Sequence, residues 1–458
     1  MKHIIKQTNN QIEMRIEKRI YHCISFALAL LCVAGLVGCG SNPRDDGNPG
    51  DESNPGSNME SDADGAMSAG MDIDAQGNYA VDATFARERE LEELTQKAEQ
   101  YDFATMARLV DALEKEGDNT ILSATSMNMA LGLLLEGANG TTEDAIEEFL
   151  MTQYIGEFDY ATRSNELLNL YMNTNTVKVH LANGIWTDDE LILQEAYVAQ
   201  LREMYNAEAR TLDFQVPDSA DIINDWCDEE TEGLIDHIIS GEELAANQNV
   251  LINTLYFKGE WMEPFDETAT DEEEFACADG TRAMVPMMHA TETVYLENEQ
   301  ATGFMKYYMG HEVAFVGILP KAEDDYSVEE LDITGLLESR TDEYLVRVRM
   351  PRFTVECSSS WKEALSDNGL ACIFSEEADF QNMSAMPLIV SDIIQRTYVD
   401  VNESGTEAAA VTEISMKGAS AMMEEPEYKE VFLNRSFVFL IYDTTNGELL
   451  FIGKVNDL

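Results

Sequence analysis

Apolar and polar positions change rhythm several times along the chain. Ile24 to Val37 is an almost unbroken apolar run, preceded by Arg15, Lys18 and Arg19 and followed by Gly38-Cys39. From there to about Ala80 the residues are mostly Asn, Asp, Gly, Ser and Pro. That composition buries too little apolar surface to offset the entropy of ordering. Between Thr84 and Glu116, Leu91, Leu94, Ala98, Met106, Leu109, Val110 and Leu113 recur at helical spacing and predict one buried face. Ser123 to Leu135 predicts a second helix, opened by a serine suited to capping and closed by Gly137, and Thr142 to Met151 a third. The period then shortens to two. Val177–Trp186, Asn249–Phe257 and Ala314–Leu319 predict strands, with helices at Gln194–Tyr205, Ala220–Glu230 and later Trp361–Asn368. Ser436–Ile441 and Leu449–Val455 predict a terminal hairpin around Asp443-Thr444-Thr445-Asn446-Gly447. Helices early and long strands late imply an α+β domain with more than one sheet.

Residues 402–420 have a rhythm that serves two conformations. As a strand, Thr406, Ala408, Ala410, Thr412, Ile414 and Met416 fall on one face, and Glu407, Glu413, Ser415 and Lys417 share the other with Ala409 and Val411. The side chains are small, and Gly405 and the tip Gly418-Ala419-Ser420 lie too close for an ordinary core strand. Such a segment can stay exposed as a loop and can also enter a sheet without steric clash. A conformational switch needs both.

Composition narrows the picture. The 458 residues suffice for one large domain plus a tail or for two ordinary domains, and 45% hydrophobic content supports a sizeable core. A formal charge of −58 excludes nucleic acid as a partner, because its phosphates would be repelled; the acidity fits a solvated surface. A basic start, a short apolar core and small residues before Cys39 predict a secretory signal over residues 1–38. The run is short for a membrane span. Leu36-Val37-Gly38-Cys39 resembles the lipobox of bacterial lipoproteins, which implies lipid on Cys39; the polar, acidic Gly/Ser/Asn/Pro composition that follows predicts a disordered tether over residues 39–83 ahead of a domain at 84–458. The expected location is extracytoplasmic, anchored to a cell surface or secreted, with the membrane touched through the N-terminal lipid only. Cys227, Cys277, Cys357 and Cys372 are spaced irregularly, which is neither a metal motif nor a dense disulfide framework, and leaves room for one bridge. His180, His237, His289 and His311 lie in no Gly-x-Ser-x-Gly, HExxH or Cys–His arrangement, and no phosphate-binding glycine loop occurs. The expectation is a protein that is not an enzyme and carries no cofactor or metal.

Nine separated motifs, in order, resemble those of the serpins over about residues 98–458. Asn119-Thr-Ile-Leu-Ser123-Ala-Thr-Ser126, with Ala130-Leu131 and Gly137-Ala-Asn-Gly-Thr-Thr142, is similar to the family's second-helix motif. Asn183 in Leu-Ala-Asn-Gly-Ile-Trp, Asp213-Phe214, and Ile223-Asn-Asp-Trp226 with Thr231 follow. Leu251-Ile-Asn253-Thr-Leu-Tyr-Phe257-Lys-Gly-Glu-Trp261 with Pro264-Phe265 is the most specific stretch before the loop. Val285-Pro-Met-Met288, Ile318-Leu-Pro320, Met350-Pro-Arg-Phe353 and Phe437-Val-Phe-Leu-Ile441 complete the set.

The resemblance implies the serpin fold, several sheets with surrounding helices and an exposed reactive-centre loop. It implies a hinge at Glu403, Gly405 and Thr406, followed by the small residues Ala408, Ala409, Ala410 and Thr412 that inhibitory members carry. It also implies a sheet-opening gate at Ser123, Ser126 and Asn253, completed by Gln395 where many relatives carry histidine; Ala124 stands in place of a frequent proline. Counting along the loop as inhibitory relatives do puts the reactive bond at Ala419-Ser420, which suits elastase-like or subtilisin-like enzymes. Lys417-Gly418 would suit a trypsin-like protease and Met422-Met423 a chymotrypsin-like one. The implied activity is suicide inhibition of a serine protease, through a covalent complex formed by a monomer. A non-inhibitory surface-binding protein and a cross-class inhibitor of papain-like cysteine proteases are the alternatives.

Overall fold

The computed structural model describes residues 103–115, 117–150, 160–173, 176–323, 326–406, 427–445 and 447–458. The expected signal, the tether and Cys39 lie outside them. Three sheets occur among the described residues. The main sheet has six strands in the order Phe353–Ser360, Asp392–Val401, Gly405–Thr406, Asn249–Glu260, Val177–Asp188 and Glu208–Leu212. A second six-stranded sheet is antiparallel throughout and contains the terminal hairpin Phe437–Asp443 and Glu448–Val455. The third has four strands, among them Tyr428–Phe432, where the chain re-enters the described residues.

The main strands outrun their predicted ends; in Asn249–Glu260 the added Gly259 and Glu260 pair with Thr406 and Gly405. Every residue of Asn249–Glu260 except Lys258 and Glu260 is buried, and the apolar runs Val250–Ile252 and Leu255–Phe257 flank the buried polar pair Asn253-Thr254. Val250 and Ile252 share one cluster with Ile223 and Cys227 of the helix Asp218–Glu230. Leu255 and Phe257 face the other way, into a cluster with Val399, Val401, Phe315 and Phe439 that joins the main sheet to the second. Leu251, on the same face as Leu255, joins a third cluster with Leu131 and Ile393, so period-two alternation ties one strand to three cores.

Behind the seam of the main sheet lies the helix Ala124–Gly137. Ser123 caps it from an extended backbone, its side chain accepting from the Ser126 N–H at 3.2 Å. Residues 103–113 are helical within the longer expected stretch, and the third expected helix runs Gly140–Phe149. The expected helix Trp361–Asn368 is shorter: a turn at Lys362–Leu365 widens over Ser366–Leu370 and tightens again at Ala371–Phe374. Gly369 takes a left-handed φ of 103° there, which no continuous helix accommodates. A helix at Tyr160–Asn173 was not among the expected elements.

Candidate functional site: the loop hinge and the sheet seam

The seam lies between strands Asn249–Glu260 and Asp392–Val401. Asp392–Thr397 pair with Val250–Leu255 directly and in parallel. Higher up, Gly405 and Thr406 enter between the two strands, antiparallel to both. Thr406 lies opposite Gly259 on one side and Val401 on the other. The upstream end of the 402–420 segment is therefore a strand of two residues wedged into the sheet.

The base of the wedge is held by backbone and charge together. The Trp261 N–H donates to the Ser404 carbonyl, the Trp261 indole N–H to the Asn402 carbonyl, and the Phe265 N–H to the Glu403 carbonyl, each at 2.9 Å. The Glu403 side chain is buried. Arg352 grips it with two donors, Nε to Oε2 at 3.0 Å and Nη2 to Oε1, and the Thr270 hydroxyl donates at 2.8 Å. Burial alone would raise the Glu403 pKa, but the Arg352 and Thr270 hydrogen bonds and the guanidinium charge outweigh it and hold the carboxyl below its ordinary value. Lys306, also buried, supports the aromatic floor. Its ammonium donates to the Glu263 carbonyl and to Glu292, both at 2.7 Å, and sits 4.4 Å from the Phe265 ring centroid. At the tip of the wedge, the Thr406 hydroxyl and the Tyr308 phenol share a 2.6 Å hydrogen bond.

Ser123, Ser126, Asn253 and Gln395 converge where the seam is closed. Gln395 holds the Ser123 backbone at two points, accepting from its N–H at 2.9 Å and donating to its carbonyl at 3.1 Å. The second N–H of the same amide crosses the seam to Asn253 Oδ1 at 3.1 Å. Asn253 also accepts from the Ser126 hydroxyl and donates to the Ser126 carbonyl at 2.7 Å and to Asn183. A neutral imidazole, with one donor and one acceptor, could not make all three Gln395 contacts. All four of these residues are buried, so each lost bond would leave a polar atom without water.

Ala408, Ala409, Ala410, Thr412, the Ala419-Ser420 bond, Lys417-Gly418 and Met422-Met423 lie outside the described residues. Cys227, Cys277, Cys357 and Cys372 are all free thiols, and burial pushes the Cys227 thiol up to about 12. Among the described residues no group of His, Cys, Asp and Glu could hold a metal ion, and no helix is long and apolar enough to cross a membrane. Arg352, Thr270, Lys306 and Tyr308 were not expected from sequence to take part in the site. Arg352 and Trp261 lie inside serpin-like motifs, Met350-Pro-Arg-Phe353 and Leu251–Trp261, whereas Thr270 and Tyr308 carry no such signal.

Three sheets with surrounding helices, among the described residues, define the α+β class of fold that the strand and helix patterns predict. The family is set by comparison. The family model described as serpin (serine protease inhibitor) matches residues 99–458, and the chain belongs to the serpins. An uncharacterised serpin-like protein of Thermococcus kodakarensis is 31% identical, over 76% of this chain and 82% of its own. A serine protease inhibitor of Rattus norvegicus is 30% identical, over 81% of this chain and 91% of its own. Among solved structures, the Arabidopsis AtSerpin1 in its native stressed conformation is similar at a TM-score of 0.70 and 26% identity, over 80% of this chain and 98% of its own. Membership supports protease inhibition as the general function and proteases as partners.

Proposed function

We propose that this serpin is a suicide inhibitor of serine proteases, acting by acyl-enzyme trapping and insertion of the cleaved loop into the main sheet. One observation carries the reading: Gly405 and Thr406 are already paired as a strand in the seam. The register extends. Thr406 stands opposite Gly259 and Val401, so a residue six further along the inserting strand comes level with positions 253 and 395. That residue is Thr412, and the two positions are the gate residues Asn253 and Gln395. A hydroxyl would arrive where the seam's hydrogen bonds must be parted. On the same count Ala408 and Ala410 turn with Thr406 toward the core, where small side chains avoid overpacking.

In the proposed reaction the protease serine attacks the carbonyl of Ala419, and its proton passes through the enzyme's base to the leaving amine of Ser420. The freed upstream segment then enters the seam at ~3.3 Å per residue and carries the acyl-linked enzyme to the far end of the sheet. New ladders at ~0.5–1.5 kcal/mol per hydrogen bond supply the drive, so the uncut form is held by a barrier rather than by equilibrium. Loop insertion by serpins is a known instance of order–disorder switching, and that scheme is carried over to these residues. A small residue before the cut favours elastase-like or subtilisin-like targets. The chain itself is read as no enzyme and as a monomer without cofactor, held outside the cytoplasm by lipid on Cys39 or secreted.

The test mixes the secreted domain with elastase, subtilisin, trypsin and papain. An adduct with a serine protease that survives boiling in detergent is expected, and mass spectrometry of the released C-terminal peptide locates the bond. Cleavage without adduct by every enzyme would mean substrate behaviour and a non-inhibitory serpin. An adduct with papain alone would assign cross-class inhibition.

A further inference from the structure

We propose that Tyr308 is a positioning residue for loop insertion: its hydroxyl keeps Thr406 seated in the seam, so that insertion starts from a strand already begun. This rests on the inhibitor reading above for its consequence, though the seating itself does not. Thr406 is buried, and its hydroxyl meets the phenol at 2.6 Å. Tyr308 has little freedom to follow Thr406 outward. Its ring stacks on Trp261 at 4.4 Å and 15° and meets Phe257 edge-on at 5.0 Å. Its N–H donates to the Val313 carbonyl at 3.0 Å, and the next residue, Met309, donates to Glu260 at 2.8 Å. The backbone and ring are thus fixed to the same strand end that receives the hinge.

Gly259 makes the arrangement possible. It is the residue opposite Thr406, and a Cβ on it would lie 2.7 Å from the Tyr308 ring. Only a bare backbone there lets the ring lie against the strand and reach the threonine. With the hinge withdrawn, the phenol would stay buried among Trp261 and Phe257 with its bond to Thr406 lost, a costly state for a hydroxyl. The latch therefore biases the hinge inward before any protease arrives, and a seated hinge is the nucleus from which the remaining residues can zip.

Tyr308→Phe keeps the stacking and removes the bond from one side; Thr406→Val removes it from the other. Native-state amide exchange over Gly405–Thr406 reads the seating directly. Each variant should speed that exchange about two- to tenfold, the range set by one net hydrogen bond. The double variant should exceed neither single one, because both delete one interaction. With a protease that the wild type traps, the share of loop cut without adduct should rise in both variants. Should the wild type trap nothing, the inhibitor reading and the role in insertion fall together. Unchanged hinge exchange in Tyr308→Phe, or additive effects in the double variant, with wild-type trapping intact, would overturn this proposal alone.

Discussion

Replacing Glu403 by glutamine keeps the side chain's shape and removes the charge that Arg352 grips. Charge-assisted bonds of this kind contribute about 1.5–3 kcal/mol when well formed. Here the Glu403 side chain is 6% exposed but that of Arg352 is 47% exposed, so water can take over part of the guanidinium once the carboxylate is gone. Screening at the exposed partner lowers the expected loss to about 1–2 kcal/mol. Over a family domain of about 360 residues, unfolding entropy near the midpoint is about 0.75 kcal/mol per degree, so the midpoint should fall by about 1–3 °C. The pH dependence gives the sharper check. The Glu403 pKa is lowered in the folded protein, so its contribution is complete above the ordinary value of 4.5 and is lost as pH falls through the lower folded value. Scanning calorimetry at one fixed rate, from pH 7 down to pH 3, should show wild type and Glu403→Gln separated near neutrality and converging below pH 4.5. Protonation of the other carboxylates acts on both chains alike and cancels in the difference. A constant separation across the series, or none at pH 7, would refute the charge argument.

The network around Asn253 and Gln395 and a buried thiol allow further checks. Asn253→Ala removes bonds to Ser126, Asn183 and Gln395 at a fully buried position, and should cost about 3–5 kcal/mol in urea unfolding; a loss under about 1 kcal/mol would mean these groups find other partners. Gln395→His places a titrating ring where the Ser123 N–H needs an acceptor. Its charged form can only donate, so the folded pKa should lie below the ordinary ~6.5, and stability relative to wild type should drop as pH falls from 8 to 5.5. Parallel urea midpoints for the two chains over that range would contradict it. Cys227 is fully buried, with its thiol pushed up to about 12, so Ellman's reagent at pH 8 should reach it only after denaturation. Prompt labelling in native buffer would contradict its burial.

Elements whose determinants are local could be read from the sequence. Ser123 caps the helix Ala124–Gly137 through its own side chain, and the apolar positions of Asn249–Glu260 announce burial without knowledge of the fold. The helix Tyr160–Asn173 was not among the expected elements, although it is about as amphipathic as Glu195–Tyr205, which was. The expected helix Trp361–Asn368 stops one residue short of Gly369, whose left-handed φ marks a real break; the widening that begins at Ser366, inside the expected span, has no such local sign. At the site, the motifs placed Ser123, Ser126, Asn253 and Gln395 together, whereas the side chains that hold the hinge were hidden. Thr270 lies 133 residues from Glu403 in sequence, and Tyr308 lies 98 from Thr406. Neither carries a local signature; each acquires its role only when sheet register brings it to the hinge.

The two ends of the seam are held by different physics, and the difference bears on how it could open. At the hinge base an ionised pair, half open to water, fixes Glu403; moving it would expose or strand a charge. At the closed stretch the network is neutral: amides and hydroxyls from Ser123, Ser126, Asn183, Asn253 and Gln395. Gln395 contributes no group that titrates between pH 5 and 8, where a histidine would. A strand passing between Asn253 and Gln395 must break their bond and leave a donor and an acceptor facing the newcomer. Neutral groups can re-pair with a backbone or a threonine hydroxyl at little desolvation cost, whereas an ion there would have to be buried unpaired during the passage. On the proposed register Thr412 is the residue that arrives. On the proposed mechanism, then, the charge sits where the chain would stay and the neutral network where it would part.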